Sequence, residues 1–260
     1  MQFRLIGTAL LVIVAFVISG CDNHDKTDTT SKPTTLTIQH TQGSTQIPLH
    51  PQKVIVLNPA TLDIMDALKI PVIGVPQTDA HFPPFLMQYQ NQQYLNAGTL
   101  FEPNYEAISA AKPDLIIAGN RAHDAYDKLS EIAPTISLDI DYSHFLASLT
   151  QRTELLGKIF DKQAQAKQLL SDFDQQMAAI KAQTKQIGSA MVLMVTGGKI
   201  SAFGPGSRFG FIFDDLGFPS AVSFDKTGPH GNIVNAELIL KANPHWLFVV
   251  DRDIAVYIIN

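Results

Sequence analysis

The sequence predicts an α/β protein in which two lobes with parallel-rich sheets are joined by a long rigid helix. Short apolar runs alternate with segments of helical spacing, which is typical of a parallel sheet covered by helices. Residues 143–186 contain no strand pattern and separate two such regions. A glutamate, a proline and an arginine also recur once in each region at a common offset of 131 residues. They are Glu106, Pro113 and Arg121, then Glu237, Pro244 and Arg252.

The first lobe is predicted at residues 36–142. Its helices show apolar residues at helical spacing, as with Leu62, Met65 and Leu68. Pro113 marks a junction between helix and strand, because a proline disfavours helical backbone in the residue before it. In order, the predicted elements are a hairpin (TLTIQH and a strand near Ile47), strand KVIVLNP, helix TLDIMDALKI, strand PVIGV, helix and strand NYEAISAAKPDLIIAG, helix AYDKLSEIA and strand TISLDI.

A connecting helical segment, residues 143–187, leads to the second lobe at residues 188–260. Asp161 is a candidate N-cap for a helix of about 24 residues, which would span about 36 Å at 1.5 Å per residue. Gly197 and Gly198 predict a hairpin turn within AMVLMVTGGKISAFG. A short helix, FGFIFDDLGF, and then a helix and strand, AELILKANPHWLFVVD, are predicted to follow. Ligands of such bilobal proteins usually lie in the cleft between the lobes.

The N-terminus is typical of an exported lipoprotein. Residues 1–20 combine one positive charge in MQFR with fifteen uncharged residues, as a signal peptide does, and this run is short for a membrane span. VISGC resembles a lipobox that would lipidate Cys21, although Ile18 replaces the usual leucine. Residues 21–35 are polar and predict a flexible tether. The alternative is an uncleaved anchor with an incidental cysteine.

Charge and motifs argue against several classes of function. The formal net charge of the 260 residues is −5, so nucleic acid is not an expected partner. The sequence has no G-x-S-x-G, Walker or C-x-x-C motif, and its eight histidines show no zinc-type spacing. We therefore expect neither an enzyme nor an intrinsic cofactor. The single cysteine also excludes an intramolecular disulfide.

Three arginines are candidate anion-binding residues. Arg121 and Arg252 each follow a predicted strand, and the crevice of an open α/β sheet lies at that end of the strands. Arg208 lies in GPGSRFG, between a strand and a short helix, where backbone N–H groups and the guanidinium could face one anion. Such a trio suits a multiply charged anion, because guanidinium groups stay protonated and donate in a fixed plane. The alternative is solvated loop arginines and a tight glycine turn.

Three further residues have two interpretations each. Glu106 and Glu237 fall early in the helix before each repeated strand, where a carboxylate either complements the helix dipole or forms part of a twofold docking surface. His230 lies in the glycine-flanked loop TGPHG and is either a solvated residue or a ligand.

Four stretches together resemble the periplasmic binding lipoproteins of iron–siderophore ABC transporters, and most closely their catecholate-binding branch. They are GTLFEPNYEAISAAKPDLIIAGNR, AYDKLSEIAPT, ISAFGPGSRFGFIFDDLGF and NPHWLFVVDRD. The resemblance covers residues 53 to about 253. It implies a monomeric receptor, lipid-anchored in the periplasm or at the cell surface, that captures an anionic ferric siderophore and delivers it to a membrane permease. Iron(III) prefers oxygen ligands, which the siderophore supplies.

The resemblance also implies roles for individual residues. Arg121, Arg208 and Arg252 match the arginine trio that neutralises a ferric tris-catecholate in the family. His230 matches a loop histidine that some members place directly on iron. Glu106 and Glu237 match the glutamates that dock related receptors onto arginines of the permease.

The end of the sequence departs from the family pattern. Only DIAVYIIN follows Arg252, whereas a helix, a strand and the connecting segment follow Arg121. We therefore expect a truncated second lobe, and we expect the tail IAVYII to be a poor helix start. A naturally short version is the alternative. Alternative functions are a same-fold receptor for haem, cobalamin or another metal complex, an exported hydrolase, and a non-functional truncated remnant.

Overall fold

Two larger sheets and a separate hairpin build the part of the protein that the structure describes. The structure is a computed structural model, and it describes residues 35–77, 82–225 and 230–256. The predicted signal peptide, Cys21 and the tether up to residue 34 lie outside the described residues, as do residues 257–260. The predicted truncation of the second lobe stays a prediction.

The first half contains a five-stranded parallel sheet with strand order β5-β4-β3-β6-β7. Its elements are hairpin strands β1 (Thr35–His40) and β2 (Gly43–Pro48), then β3 (Val54–Val56), α1 (Pro59–Ala67), β4 (Gly74–Val75), β5 (Leu95–Asn96), α2 (Tyr105–Ala111), β6 (Leu115–Ala118), α3 (Tyr126–Ile132) and β7 (Thr135–Ser137), with 3-10 helices at Pro84–Gln90 and Asn120–Ala125. The predicted order is confirmed, but β5 and both 3-10 helices were not predicted, because their apolar runs are very short.

Burial explains why the apolar patterns predicted the first half well. Strands β3, β6 and β7 are buried along their whole length, so they need unbroken apolar or small side chains. Leu62 and Met65 of α1 and Leu68, the residue after it, face the same core, and none is more than 2% exposed. The helix begins at Asn58, whose side-chain oxygen accepts a hydrogen bond from the backbone N–H of Ala60 at 3.0 Å.

The connecting segment consists of a 3-10 helix at Tyr142–His144 and two packed helices, α4 (Phe145–Ile159) and α5 (Gln163–Thr184). The 22 residues of α5 span about 33 Å, which confirms the long helix. The predicted N-cap at Asp161 is wrong. Asp161 has φ +56° and reverses the chain between the two helices, so the N-cap position of α5 falls to Lys162, which makes no capping bond with its side chain.

The second half contains a mixed four-stranded sheet with strand order β10-β9-β8-β11. Its elements are β8 (Ala190–Thr196), β9 (Lys199–Phe203), α6 (Phe211–Asp214), β10 (Asn232–Val234), α7 (Ala236–Ala242), β11 (Trp246–Asp251) and α8 (Arg252–Val256). The predicted glycine turn is confirmed, since Gly197 and Gly198 have φ values of +54° and +72° and join β8 to β9. That hairpin makes β8 and β9 antiparallel, whereas β8 and β11 are parallel.

The tail after Arg252 corrects one expectation. Residues 252–256 form α8 despite the β-branched Ile254. The helix starts because the side chain of Asp251 accepts a hydrogen bond from the backbone N–H of Ile254 at 3.1 Å, as an N-cap does. Helix propensity alone did not predict α8, because it takes no account of this capping hydrogen bond.

The repeated sequence pattern is a structural repeat. Helix α2 and strand β6 begin 131 residues before α7 and β11, because 105 + 131 = 236 and 115 + 131 = 246. Both helices end in the left-handed conformation, at Lys112 with φ +49° and at Asn243 with φ +42°. The same helix, turn and strand therefore occur once in each half. In the described part of the chain, no helix is both long enough and apolar enough to span a membrane.

Candidate functional site

A cleft of about 1080 Å³ lies between the two larger sheets and contains all four residues predicted to bind a ligand. The first half contributes residues that follow β3, β5, β6 and β7, at the carboxyl ends of parallel strands. The second half contributes the end of β8, strand β9, the start of β10 with the residues before it, and the residues that follow β9 and β11. Arg121, Arg208, Arg252 and His230 all line this cleft.

Arg121 reaches the cleft from the 3-10 helix that follows β6. Its guanidinium carbon lies 5.0 Å from the centre of the Phe101 ring, within the range of a cation–π contact. Phe101 stands in a turn that Thr99 organises, since the Thr99 hydroxyl oxygen accepts hydrogen bonds from the backbone N–H groups of Phe101 and Glu102 at 3.2 and 3.0 Å.

Arg208 lies in the predicted turn between β9 and α6. The expectation that this loop offers its backbone N–H groups to an anion is wrong at three positions. The N–H of Gly206 donates to the Asp214 carboxylate at 2.7 Å, and those of Ser207 and Gly210 donate to carbonyl oxygens within the loop. These three N–H groups are therefore engaged within the loop or with α6, and the Arg208 side chain lines the cleft. Its guanidinium lies 5.4 Å from the centre of the Tyr142 ring.

Tyr142 belongs to a capped turn at the start of the connecting segment. The Asp141 carboxylate accepts hydrogen bonds from the backbone N–H groups of Ser143 and His144 at 2.9 and 3.3 Å, and it lies 2.9 Å from Nδ1 of His144. The hydrogen bond with the His144 ring, followed by that from the Ser143 backbone, lowers the pKa of the Asp141 carboxyl below its ordinary value.

Arg252 and Lys199 approach the cleft from the second sheet. Arg252 begins α8 directly after β11, and Lys199 begins β9 directly after the glycine turn. The Asp253 carboxylate accepts the backbone N–H of Gly197 at 2.8 and 3.0 Å, which ties the turn to α8. Lys199 and Arg252, which flank this bond in the sequence, both line the cleft.

The cleft is cationic. Its described lining contains Arg121, Lys199, Arg208 and Arg252 against one carboxylate, Asp124. Across residues 35–77, 82–225 and 230–256, the ion pairs join Lys69 to Asp66, His123 to Asp124 and His144 to Asp141. None of the four cleft cations is therefore neutralised by a carboxylate of the described chain.

His230 is exposed at the cleft wall, as predicted for a loop histidine. The described residues contain no group of three or more His, Cys, Asp or Glu side chains arranged to hold a metal ion.

Glu106 and Glu237 lie outside the cleft lining. Each is exposed in the first turn of its helix, α2 or α7, as the repeat predicted. The structure brings them to equivalent positions of the two repeated units.

Sequence reasoning missed three cleft residues. The position of Lys199 could have indicated a cleft residue, because Lys199 directly follows the glycine turn that ends a predicted strand. The positions of Phe101 and Tyr142 gave no such indication, because isolated aromatic residues in loops carry no spacing pattern and their arginine partners are distant in sequence.

The chain is similar to known proteins in sequence and in fold. A family model described as "Periplasmic binding protein" matches residues 54–256. Petrobactin-binding protein YclQ of Bacillus subtilis is 36% identical over 262 residues, which cover 98% of this chain and 81% of the relative. Its crystal structure matches with a TM-score of 0.82, over 85% of this chain and 79% of that chain.

Two further proteins are similar to this chain. Ferric-anguibactin-binding protein FatB of Vibrio anguillarum is 32% identical, over 95% of this chain and 79% of the relative. The periplasmic catecholate-siderophore binding protein VctP of Vibrio cholerae is 37% identical, and its crystal structure matches with a TM-score of 0.80 over 85% of this chain and 80% of that chain.

Proposed function

The chain belongs to the periplasmic binding protein family, and we propose that it captures an anionic ferric siderophore of the catecholate type and delivers it to the permease of an ABC importer. The observation that carries this proposal is the set of cations in one cleft, Arg121, Lys199, Arg208 and Arg252, without a carboxylate partner in the described chain.

The charge of the cleft suits a ferric tris-catecholate, which carries three negative charges around the metal. Iron(III) is a hard cation that prefers oxygen ligands, and catecholate oxygens satisfy it without protein ligands. Guanidinium groups then bind the outer oxygens through paired N–H donors. His230 is proposed to reach the iron directly when a siderophore leaves coordination positions free.

The similar proteins support the same class of ligand. By their names, YclQ binds petrobactin, FatB binds ferric anguibactin and VctP binds catecholate siderophores. All three are binding proteins, and this chain shares more than 30% identity with each of them over most of its length.

Binding of ferric tris-catechol to the purified protein tests this function by isothermal titration calorimetry. We expect saturable binding that weakens as sodium chloride is added, because salt screens the attraction between cleft and anion. A neutral ferric trihydroxamate is the matched control and should bind much more weakly. Equal binding of the two complexes, or no binding of the catecholate by a protein that unfolds cooperatively, would reject the proposal.

Delivery is proposed to use Glu106 and Glu237 as a twofold docking surface on the permease, with the protein tethered to the membrane through lipid on Cys21. The support is their exposure at equivalent positions of the repeated units. Charge reversal in E106K and E237K should leave siderophore affinity unchanged and reduce iron uptake by cells. The exposed Glu131 on α3 provides the control E131K, which should change neither measurement.

A further inference from the structure

Two cleft arginines are covered by aromatic rings rather than by carboxylates. Arg121 lies over Phe101 at 5.0 Å and Arg208 lies over Tyr142 at 5.4 Å, measured from guanidinium carbon to ring centre. All four residues line the cleft. We propose that Phe101 and Tyr142 are positioning residues, which order the guanidinium groups from their faces before the anion binds.

An aromatic ring orders an arginine without cancelling its charge. A carboxylate partner would fix the guanidinium but would also compete with an anionic ligand for its N–H groups. A ring occupies the flat face and leaves the N–H donors at the edge available for oxygen atoms. Ordering a long side chain in advance removes part of the conformational-entropy cost that binding would otherwise meet.

A role in core packing does not account for the Phe101 ring. Phe101 is 63% exposed and Tyr142 is 38% exposed, so most of the Phe101 side chain contributes little to a core. Each ring nevertheless stands in a turn fixed by side-chain hydrogen bonds, from Thr99 in one case and Asp141 in the other. Exposed rings on ordered turns are suited to support a neighbouring side chain.

The Tyr142 contact also joins the connecting segment to the second half of the protein. Tyr142 precedes α4, whereas Arg208 follows β9 of the second sheet. Among the described residues, the buried Nε of Arg208 has no hydrogen-bond partner, while the Tyr142 ring lies against the guanidinium. Phe145 lies three residues after Tyr142, and Phe211 lies three residues after Arg208. Their rings pack with centres 5.2 Å apart, which adds a second contact between the same two segments.

Side-chain order and affinity test the inference, which rests on the proposed function only for its ligand. The first measurement is ¹⁵N relaxation of the arginine Nε–H groups in the ligand-free protein. We expect F101L to lower the order parameter of Arg121 alone, and Y142L to lower that of Arg208 alone. F101Y and Y142F keep a ring and should resemble the wild type. Phe85 is 60% exposed outside the cleft lining, so F85L is the control.

The second measurement is calorimetric affinity for ferric tris-catechol. We expect F101L and Y142L each to weaken binding about two- to fivefold, the size of an exposed cation–π contact, with the salt dependence kept because no charge is removed. Unchanged order parameters in both leucine variants would overturn the inference, and so would a loss in Y142F equal to that in Y142L. If the wild type does not bind the complex, the proposed function fails and the order parameters alone decide whether the rings position the arginines.

Discussion

Asn104 and Asn235 make the same hydrogen bond at equivalent positions 131 residues apart. Each side-chain oxygen accepts a backbone N–H three residues later at 3.0 Å, from Ala107 in one case and Leu238 in the other. Each asparagine thereby caps a helix that carries a proposed docking glutamate. The strand that follows each helix ends near a cleft arginine. The repeat in the sequence is thus a repeat of capping chemistry as well as of charge.

Removal of either cap should destabilise the protein by a similar amount. We expect N104A and N235A each to lower the free energy of unfolding by about 1 kcal/mol, because an N–H at the helix start loses its acceptor. Urea unfolding followed by circular dichroism measures the loss. The serine variants at both positions retain an acceptor and should lose less. A serine variant as unstable as its alanine counterpart would show that capping is not the cause.

Removal of cleft charge should weaken ferric tris-catechol binding. We expect R121Q, R208Q and R252Q each to lower affinity roughly ten- to hundredfold, which corresponds to a lost charged hydrogen bond of about 1.5–3 kcal/mol. The variants should also bind with a weaker dependence on salt. K199Q tests the cation that the sequence did not identify. The control is K167Q on α5, outside the cleft, where calorimetry should detect no change.

The bond between Asp253 and Gly197 should matter for both stability and binding. D253A removes the acceptor for the Gly197 N–H, so we expect a loss of about 0.5–1.5 kcal/mol in unfolding free energy and weaker ligand binding through the displaced Lys199. D253N retains one acceptor oxygen and should lie between D253A and the wild type. Equal affinity of D253A and the wild type would contradict the link between the turn and the cleft.

Gly119 should not tolerate a side chain. A Cβ at this position would overlap the amide of Asn58, which donates to the carbonyl oxygen of Leu138 at 3.0 Å at the base of the cleft. We expect G119A to cost about 1–3 kcal/mol, the usual range for overpacking. In an N58S background the same change should cost less, because serine is shorter and still caps α1. A double-mutant cycle of unfolding free energies without coupling would reject this explanation.

The contribution of the Asp141 carboxylate, which caps the turn that carries Tyr142, to protein stability should depend on pH. The lowered pKa of Asp141 means that the native protein binds this proton less readily than the unfolded chain does. Its contribution to stability is therefore present above the ordinary aspartate pKa of about 3.9 and is lost as pH falls through the lowered value. We expect D141N to melt below the wild type at pH 7 and at the same temperature once the wild-type carboxyl is protonated. A difference in melting temperature between D141N and the wild type that does not change with pH would exclude the carboxylate charge as its cause.

Local chemistry could be predicted where it depends on neighbouring residues. The glycine turn, the early position of Glu106 and Glu237 and the strand before each repeated arginine all follow from short-range patterns. The N-cap prediction for Asp161 was wrong because the conformation of this residue depends on how α4 packs against α5. There Gly157 approaches the helix so closely that an added Cβ would lie 2.9 Å from the Cβ of Ala166. A cap pattern in the sequence carries no information on that packing.

By itself, the sequence determined the alternation of elements, the duplicated helix and strand, the arginine after each duplicated strand and a third arginine in a glycine-rich loop. These features depend on apolar periodicity and turn residues within about ten positions. Only the tertiary structure decided that Arg208 lies over Tyr142, that Arg121 lies over Phe101, and that three backbone N–H groups of GPGSRFG bond to Asp214 or to carbonyl oxygens of the loop. Such contacts join distant segments, and their geometry is set by how the two sheets and the connecting helices pack, which no local pattern encodes.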